Sequence, residues 1–344
     1  MSNSQIANAE GFPWGANKPT RIQRLVFALS IAAFCAAFLS IKYDRFPHTR
    51  SDFSQARFGA EAIVHGANPY VLSGPGRTFD NPRPVLYPAT AFVAAIPFLL
   101  VSDHAAAVIF VTLSAFLLAY GATAKSWHLV AMFPSIAFLS SIQFAQWSPL
   151  MTAAVFLPWL AFFGAIKPQS ILPVALSSER WTQTVVALVG GILLLGLSIF
   201  LYPDWPREWL SAVSGNRDLT PPLFRLGGPV ILLALLRWRR PEAWLVALSA
   251  CMPQTWGWYN TLVLLTVAGT YREACVLSLV SSAGQLLALY FSGFSSQPES
   301  YGLWGAAMVA FAYLPATIVV LRHGNEGNPP AVIRFLVRRS PRNR

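Results

Sequence analysis

The residues able to do chemistry in this chain crowd into one loop. Residues 43–87 carry Asp44, Arg45, Arg50, Asp52, Arg57, Glu61, Arg77, Asp80 and Arg83, with Lys42 at the boundary. Around them the sequence is 55% hydrophobic and only 11% charged, against about 25% charged in an ordinary soluble protein. Hydrocarbon excludes ionised groups, so a charged loop punctuated by Pro and Gly is where an apolar protein can act. Within it Ser51-Asp52 supplies cap residues ahead of a helical pattern. Phe53, Ala56, Ala60 and Ile63 fall on one face and Ser54, Arg57, Glu61 and His65 on another. Gly66 is the stop signal. The spacing predicts a helix lying apolar side down on a membrane surface. Asp52 would then stand at the interface, where a carboxylate can act as general base toward a lipid-borne substrate. Arg57 and Glu61 read equally well as a solvated i,i+4 pair.

The elements that must position this loop are written in apolar runs of about 15–20 residues, the length that crosses a hydrocarbon core. The runs are continuous and do not alternate, which excludes a barrel. The expected fold is an all-α polytopic membrane protein of about 10–11 transmembrane helices. Residues 1–20 are expected to be a disordered tail, 21–321 the transmembrane domain and 322–344 a basic tail. A second non-cytoplasmic loop is expected at 202–225. Residues 150–166 read as one span. The run 86–101, interrupted by Pro88 and Pro97, either crosses or re-enters. If it crosses, Lys125 and Lys167 face outward; if it re-enters, both face the cytoplasm.

The net charge of +11 does not point to nucleic acid. Lys18, Arg21 and Arg24 precede the first run, Arg237, Arg239 and Arg240 sit between two others, and six arginines follow from Arg322 onward. That pattern is the positive bias of cytoplasmic segments. Cys35, Cys251 and Cys275 lie in apolar runs and form neither metal spacing nor a disulfide framework.

Taken in order, Asp52, Ala60, Gly66-Ala67-Asn68-Pro69-Tyr70, Tyr87-Pro88, Pro97, Gln146 and Lys167-Pro168-Gln169 resemble a known family. It is the polyprenyl-phosphate-mannose-dependent mannosyltransferases of glycosyltransferase family 87, and the motifs cover roughly residues 21–181. The resemblance implies a GT-C-like bundle in a bacterial inner (plasma) membrane with its active site on the non-cytoplasmic face. It places a catalytic aspartate at Asp52. Where the family usually shows Gly-Gln, this chain has Ala145-Gln146.

The expected activity is inverting transfer of a hexose, mannose by the resemblance, from a polyprenyl-phosphate carrier to a lipid or envelope-glycan acceptor. A departing phosphate needs no general acid, so one base suffices, whereas hydrolysis of an ordinary glycoside wants two carboxylates. The phosphate needs cations, for which Lys167 and Arg57 are the candidates. His65, Asn68, Tyr70, Tyr87, Gln146 and Gln254 are the candidate substrate contacts. For the two glutamines, bonding between helices is the competing role. The expected partners are the lipid-linked donor, the acceptor and membrane lipids. No cofactor and no metal are expected, with room left for a divalent cation between Asp52 and phosphate. The alternatives are a transporter or lipid flippase and a catalytically inactive assembly protein.

Overall fold

The computed structural model describes residues 18–80, 85–124, 126–214, 219–255, 257–293 and 301–339. Lys125 and Arg83 lie outside the described residues. The fold is helical, with one parallel pair of two-residue strands, Ser73–Gly74 and Phe79–Asp80, inside the charged loop. Among the described residues five helices are long and apolar enough to cross a membrane: Arg21–Arg45, Asp103–Ala122, Trp181–Leu201, Tyr271–Phe291 and Tyr301–Arg322.

The first two of these run antiparallel and define the two ends of the bundle. At one end the Arg24 guanidinium donates to Tyr120 O at 2.8 Å and lies 4.0 Å from the Tyr120 ring centre. At the other end Tyr43 stacks on His104 with ring centroids 4.2 Å apart. This second end carries the charged loop.

The predicted surface helix forms as Asp52–Val64. Ser51 and Ser54 satisfy each other's backbone N–H reciprocally, which fixes the start. Gly66 at φ +69° ends it, with Ala67 N donating to Ala62 O and Gly66 N to Ile63 O, the paired bonds of a Schellman stop. Phe53, Ala56, Ala60 and Ile63 are buried, as the pattern requires. They face protein, however, and not lipid. Phe53 stacks on Phe110 at 4.3 Å and touches Trp147, and Gly59 approaches Phe92 so closely that a Cβ would come within 2.3 Å of its ring.

The ambiguous run 86–101 does not cross. It forms one short helical segment, Ala89–Ala95 continuing as the 3-10 turns Ile96–Leu100, packed beside the surface helix through Phe92 against Gly59 and Phe98 O against Arg57. Thr90 Oγ1 donates to Ala165 O at 2.6 Å. At the other end of the segment Arg57 donates to Val101 O and Ser54 Oγ to Asp103 Oδ2, at 2.8 and 2.7 Å.

The single span expected at 150–166 is corrected. The chain descends as Ser148–Ala153 and reverses at Phe156-Leu157, which pack on Gly121 near the Arg24 end. It then returns as Pro158–Ile166 in 3-10 turns. Pro158 at the start of the return segment cannot donate the bond that would continue the descending helix. The two short passes bring Lys167 back to the charged-loop end. The expectation that a re-entrant 86–101 would send Lys167 to the opposite face therefore fails.

The next piece, Pro168–Ser177, leads away again, and Trp181–Leu201 follows. Outside the charged loop, further arginines join Arg24 at its end of the bundle. There Arg237 donates to Leu321 O and His323 O, and the tail helix Ala331–Arg339 docks through Ala331 N on Ser178 O.

Candidate functional site

At the charged-loop end the structure brings Asp52, Gln146 and Lys167 into one neighbourhood. Asp52 is the first residue of its helix, where a negative charge is favoured by the helix dipole. Its backbone N–H donates to Phe144 O at 2.9 Å. Its carboxylate accepts from Gln55 Nε2 at 3.3 Å and from Gln146 Nε2. Gln146 is 1% exposed, and among the described residues its Oε1 has no hydrogen-bond partner. A buried acceptor left in that state costs about 1–3 kcal/mol.

Gln146 reaches Asp52 because the chain turns sharply just before it. Ala145 has φ +47°, a left-handed conformation taken by no other non-glycine residue among those described, and Gln146 N closes the turn on Ser141 O at 2.8 Å. An L residue with a Cβ pays about 1–2 kcal/mol there. Ala145→Gly is expected to raise thermal stability by about 1 kcal/mol, read as an upward shift of the unfolding midpoint in detergent.

Lys167 sits at the junction of Pro158–Ile166 and Pro168–Ser177, outside the five membrane-length helices. It is 6% exposed. Its ammonium donates to Asn260 Oδ1 at 2.9 Å and lies 5.0 Å from the Tyr259 ring centre, a cation–π contact. Burial pulls its pKa down to about 8, and the Asp52 carboxylate opposes that fall. Burial pushes the Tyr87 phenol well above its ordinary value, with Asp52 and Tyr259 adding to the rise. Asp52, Lys167, Tyr87 and Tyr259 thus share one electrostatic neighbourhood. A second amine stands nearby, where Lys42 Nζ donates to Gln143 O at 2.5 Å.

Behind Asn260 is a small polar cavity of about 20 Å³, lined among others by Ser148, Thr152, Gln169, Ser170, Gln254 and Asn260. That is room for one water-sized group. Gln254 is 5% exposed and donates to Ser249 O at 2.6 Å and to Tyr313 Oη at 2.7 Å. The first closes this segment back on the helix Pro241–Cys251 just before it, and the second ties it to Tyr313 in the distant turn Val309–Tyr313. Neither Asp52 nor Lys167 lines this cavity.

The remaining candidates are placed elsewhere or bonded structurally. Arg57 spends its guanidinium on Phe98 O, Val101 O and Glu61. It caps the carbonyls that end the 3-10 turn Ile96–Leu100 and is not brought to Asp52. His65 ends the surface helix, exposed, with Nδ1 on Glu61 O at 2.8 Å. Asn68 caps the short helix Pro69–Leu72 by accepting from Tyr70 N and Val71 N. Tyr70 Oη donates to Tyr87 O at 3.0 Å and so ties the exit of the loop to its return. Trp209 Nε1 fastens the second polar loop to Leu86 O at 2.9 Å.

Asn260 and Tyr259, which hold Lys167, are the residues that reading single motifs missed. The signal was present as the polar-aromatic cluster 253–260 inside an apolar run, but nothing local ties it to Lys167. Among the described residues no three His, Cys, Asp or Glu side chains gather as a metal site would require.

The fold and this end of the bundle define a helical protein with several helices able to cross a membrane and, at one end, a buried amine in the neighbourhood of a half-buried carboxylate. No family model, curated protein or solved structure matches the chain.

Proposed function

We propose that the protein is an integral-membrane, inverting hexosyltransferase of the GT-C type that uses a polyprenyl-phosphate sugar as donor, with mannose the sugar suggested by the resemblance. The observation that carries this reading is the placement of half-buried Asp52 and buried Lys167 in one neighbourhood at one end of the bundle, Asp52 held by Gln146 and Lys167 by Asn260. Asp52 takes the proton from the acceptor hydroxyl as its oxygen attacks the anomeric carbon. The bond from that carbon to the carrier phosphate breaks, and the phosphate leaves as an anion. Lys167 binds that anion, since an ammonium displaced from Asn260 gains a stronger, charged acceptor.

Ala145 gives independent support. The family that the sequence resembles usually shows glycine at this place, and here the backbone adopts the conformation that favours glycine. The basic end of the bundle supports a cytoplasmic location for Arg24, Arg237 and the tail by the positive-inside rule. Asp52 and Lys167 then lie on the non-cytoplasmic face of a bacterial inner membrane, where the donor and a lipid or glycan acceptor would meet.

Transfer from radiolabelled polyprenyl-phosphate mannose to extracted membrane lipids tests the activity directly. Gln146→Leu removes the amide that orients the Asp52 carboxylate and is expected to lower kcat about tenfold, with KM for the donor little changed. A rise in KM alone would assign Gln146 to binding.

One observation favours a second reading. Several passes are broken into short 3-10 and α pieces around a buried lysine, as in transporters built from discontinuous helices. Lipid scrambling or solute uptake by proteoliposomes, with no sugar transfer, would select a flippase or transporter.

A further inference from the structure

A second cavity is lined neither by Asp52 or Lys167 nor by Gln55, Gln146 or Asn260, which bond them. It is an apolar groove of about 460 Å³ between the helices Tyr271–Phe291 and Tyr301–Arg322, within the range of pockets that hold small ligands, about 300–1,000 Å³. Leu287 and Phe291 line it from one side and Leu303, Ala306, Ala310 and Leu314 from the other. Among the described residues no charged side chain does.

Its shape has two local causes. Residues Val309–Tyr313 form a π-helical turn, a rare widening often found where helices serve a function. Phe311 packs against Gly284 so tightly that a Cβ there would come within 2.2 Å of it. The two helices are thereby pinned at one point and left apart beside it.

A cation is fixed at the edge of the groove. Arg225, adjacent to the lining residues Leu226 and Gly227, donates to Thr220 O at 3.0 Å and to Gln254 O at 3.1 Å. Its guanidinium rests on Gly305, where a Cβ would come within 1.8 Å of Nη1, one residue before Ala306 of the lining. A guanidinium offers five donors in a planar fork that suits phosphate.

We propose that this groove holds an acyl chain of a membrane phospholipid whose phosphate lies against Arg225. The apolar walls demand a methylene chain, and the Arg225 charge at the edge complements a phosphodiester. A sugar or nucleotide finds no polar partner along the lining. Asp52 and Lys167 do not line the groove, and the proposal does not rest on the transferase reading.

The test is native mass spectrometry of the full-length protein released from mild detergent, after incubation with phosphatidylglycerol or with polyprenyl phosphate. Wild type is expected to retain one phospholipid. Ala310→Trp, at an exposed position, fills the groove without entering the core and is expected to abolish retention with an unchanged unfolding midpoint. Ala306→Phe, one turn away in the same groove, repeats the test if the first variant fails to fold. Arg225→Gln is expected to lower retention of phosphatidylglycerol roughly tenfold, the loss of a charge-assisted hydrogen bond. Equal retention in wild type and both groove-filling variants overturns the proposal. So does stoichiometric displacement of the phospholipid by polyprenyl phosphate, which would assign the groove to a carrier lipid.

Discussion

Asp52→Asn is expected to lower sugar transfer by about 10²–10⁴-fold, the usual contribution of a positioned general base, while leaving the protein folded. The asparagine keeps the shape of the side chain and one acceptor oxygen. Its new amide would oppose the Gln146 Nε2 that now donates to Asp52, but Gln146 can rotate and present its otherwise unpartnered Oε1. What remains lost is a carboxylate at the start of a helix, about 0.3–1 kcal/mol of dipole interaction. A fall in activity much larger than any fall in stability is therefore the signature of the base. Asp52→Glu retains the charge but carries the carboxylate one methylene further, out of line with Gln146, and is expected to recover only part of the rate. If Asp52→Asn and Asp52→Ala transferred sugar as fast as wild type, Asp52 would not be the base.

The surface helix was legible in the sequence because its determinants are local. Ser51-Asp52 as the capped start, Gly66 as the stop and the spacing of Phe53, Ala56, Ala60 and Ile63 each act within a turn or two, while the part Ser54 plays in the cap emerged only in the structure. What that buried face packs against was not legible. Ala89–Ala95, Phe110 and Trp147 are distant in sequence, and a face that packs on protein carries the same pattern as one that lies on lipid.

The reversal at Phe156-Leu157 escaped for a different reason. Apolar length alone reads 150–166 as one crossing, and Pro158 was the sole local signal that it is two. Missing that turn put Lys167 on the wrong face under one reading of 86–101. The approach of Asn260 to Lys167 is longer-ranged still, joining two broken passes, and no spacing rule connects them. Arg57 shows the converse error. A cation near Asp52 in sequence was offered to phosphate, whereas five residues of helix turn it toward the carbonyls that close the re-entrant segment.

Lys167 is expected to give activity and stability opposite responses to pH. Its pKa is about 8 in the folded protein against an ordinary value of 10.5. Between those values the unfolded chain holds the proton and the folded chain has released it, so stability rises with pH across that window. Below about 8 the cost of burying the ammonium is fully present. Transfer should run the other way, because only the ammonium binds phosphate, and should decline as pH rises past about 8. Lys167→Arg stays charged throughout, so whatever transfer it supports is expected to lack this alkaline decline. Lys167→Met removes the buried charge. It is expected to raise KM for the donor at least tenfold, a loss of about 1.4 kcal/mol or more of binding, and to flatten the stability profile between pH 8 and 10.5. Unfolding midpoints in detergent and donor KM, each measured across pH, separate these effects. A Lys167→Met protein with wild-type donor KM would remove the phosphate role from Lys167, and a stability profile still rising over that window would assign the titration to another group.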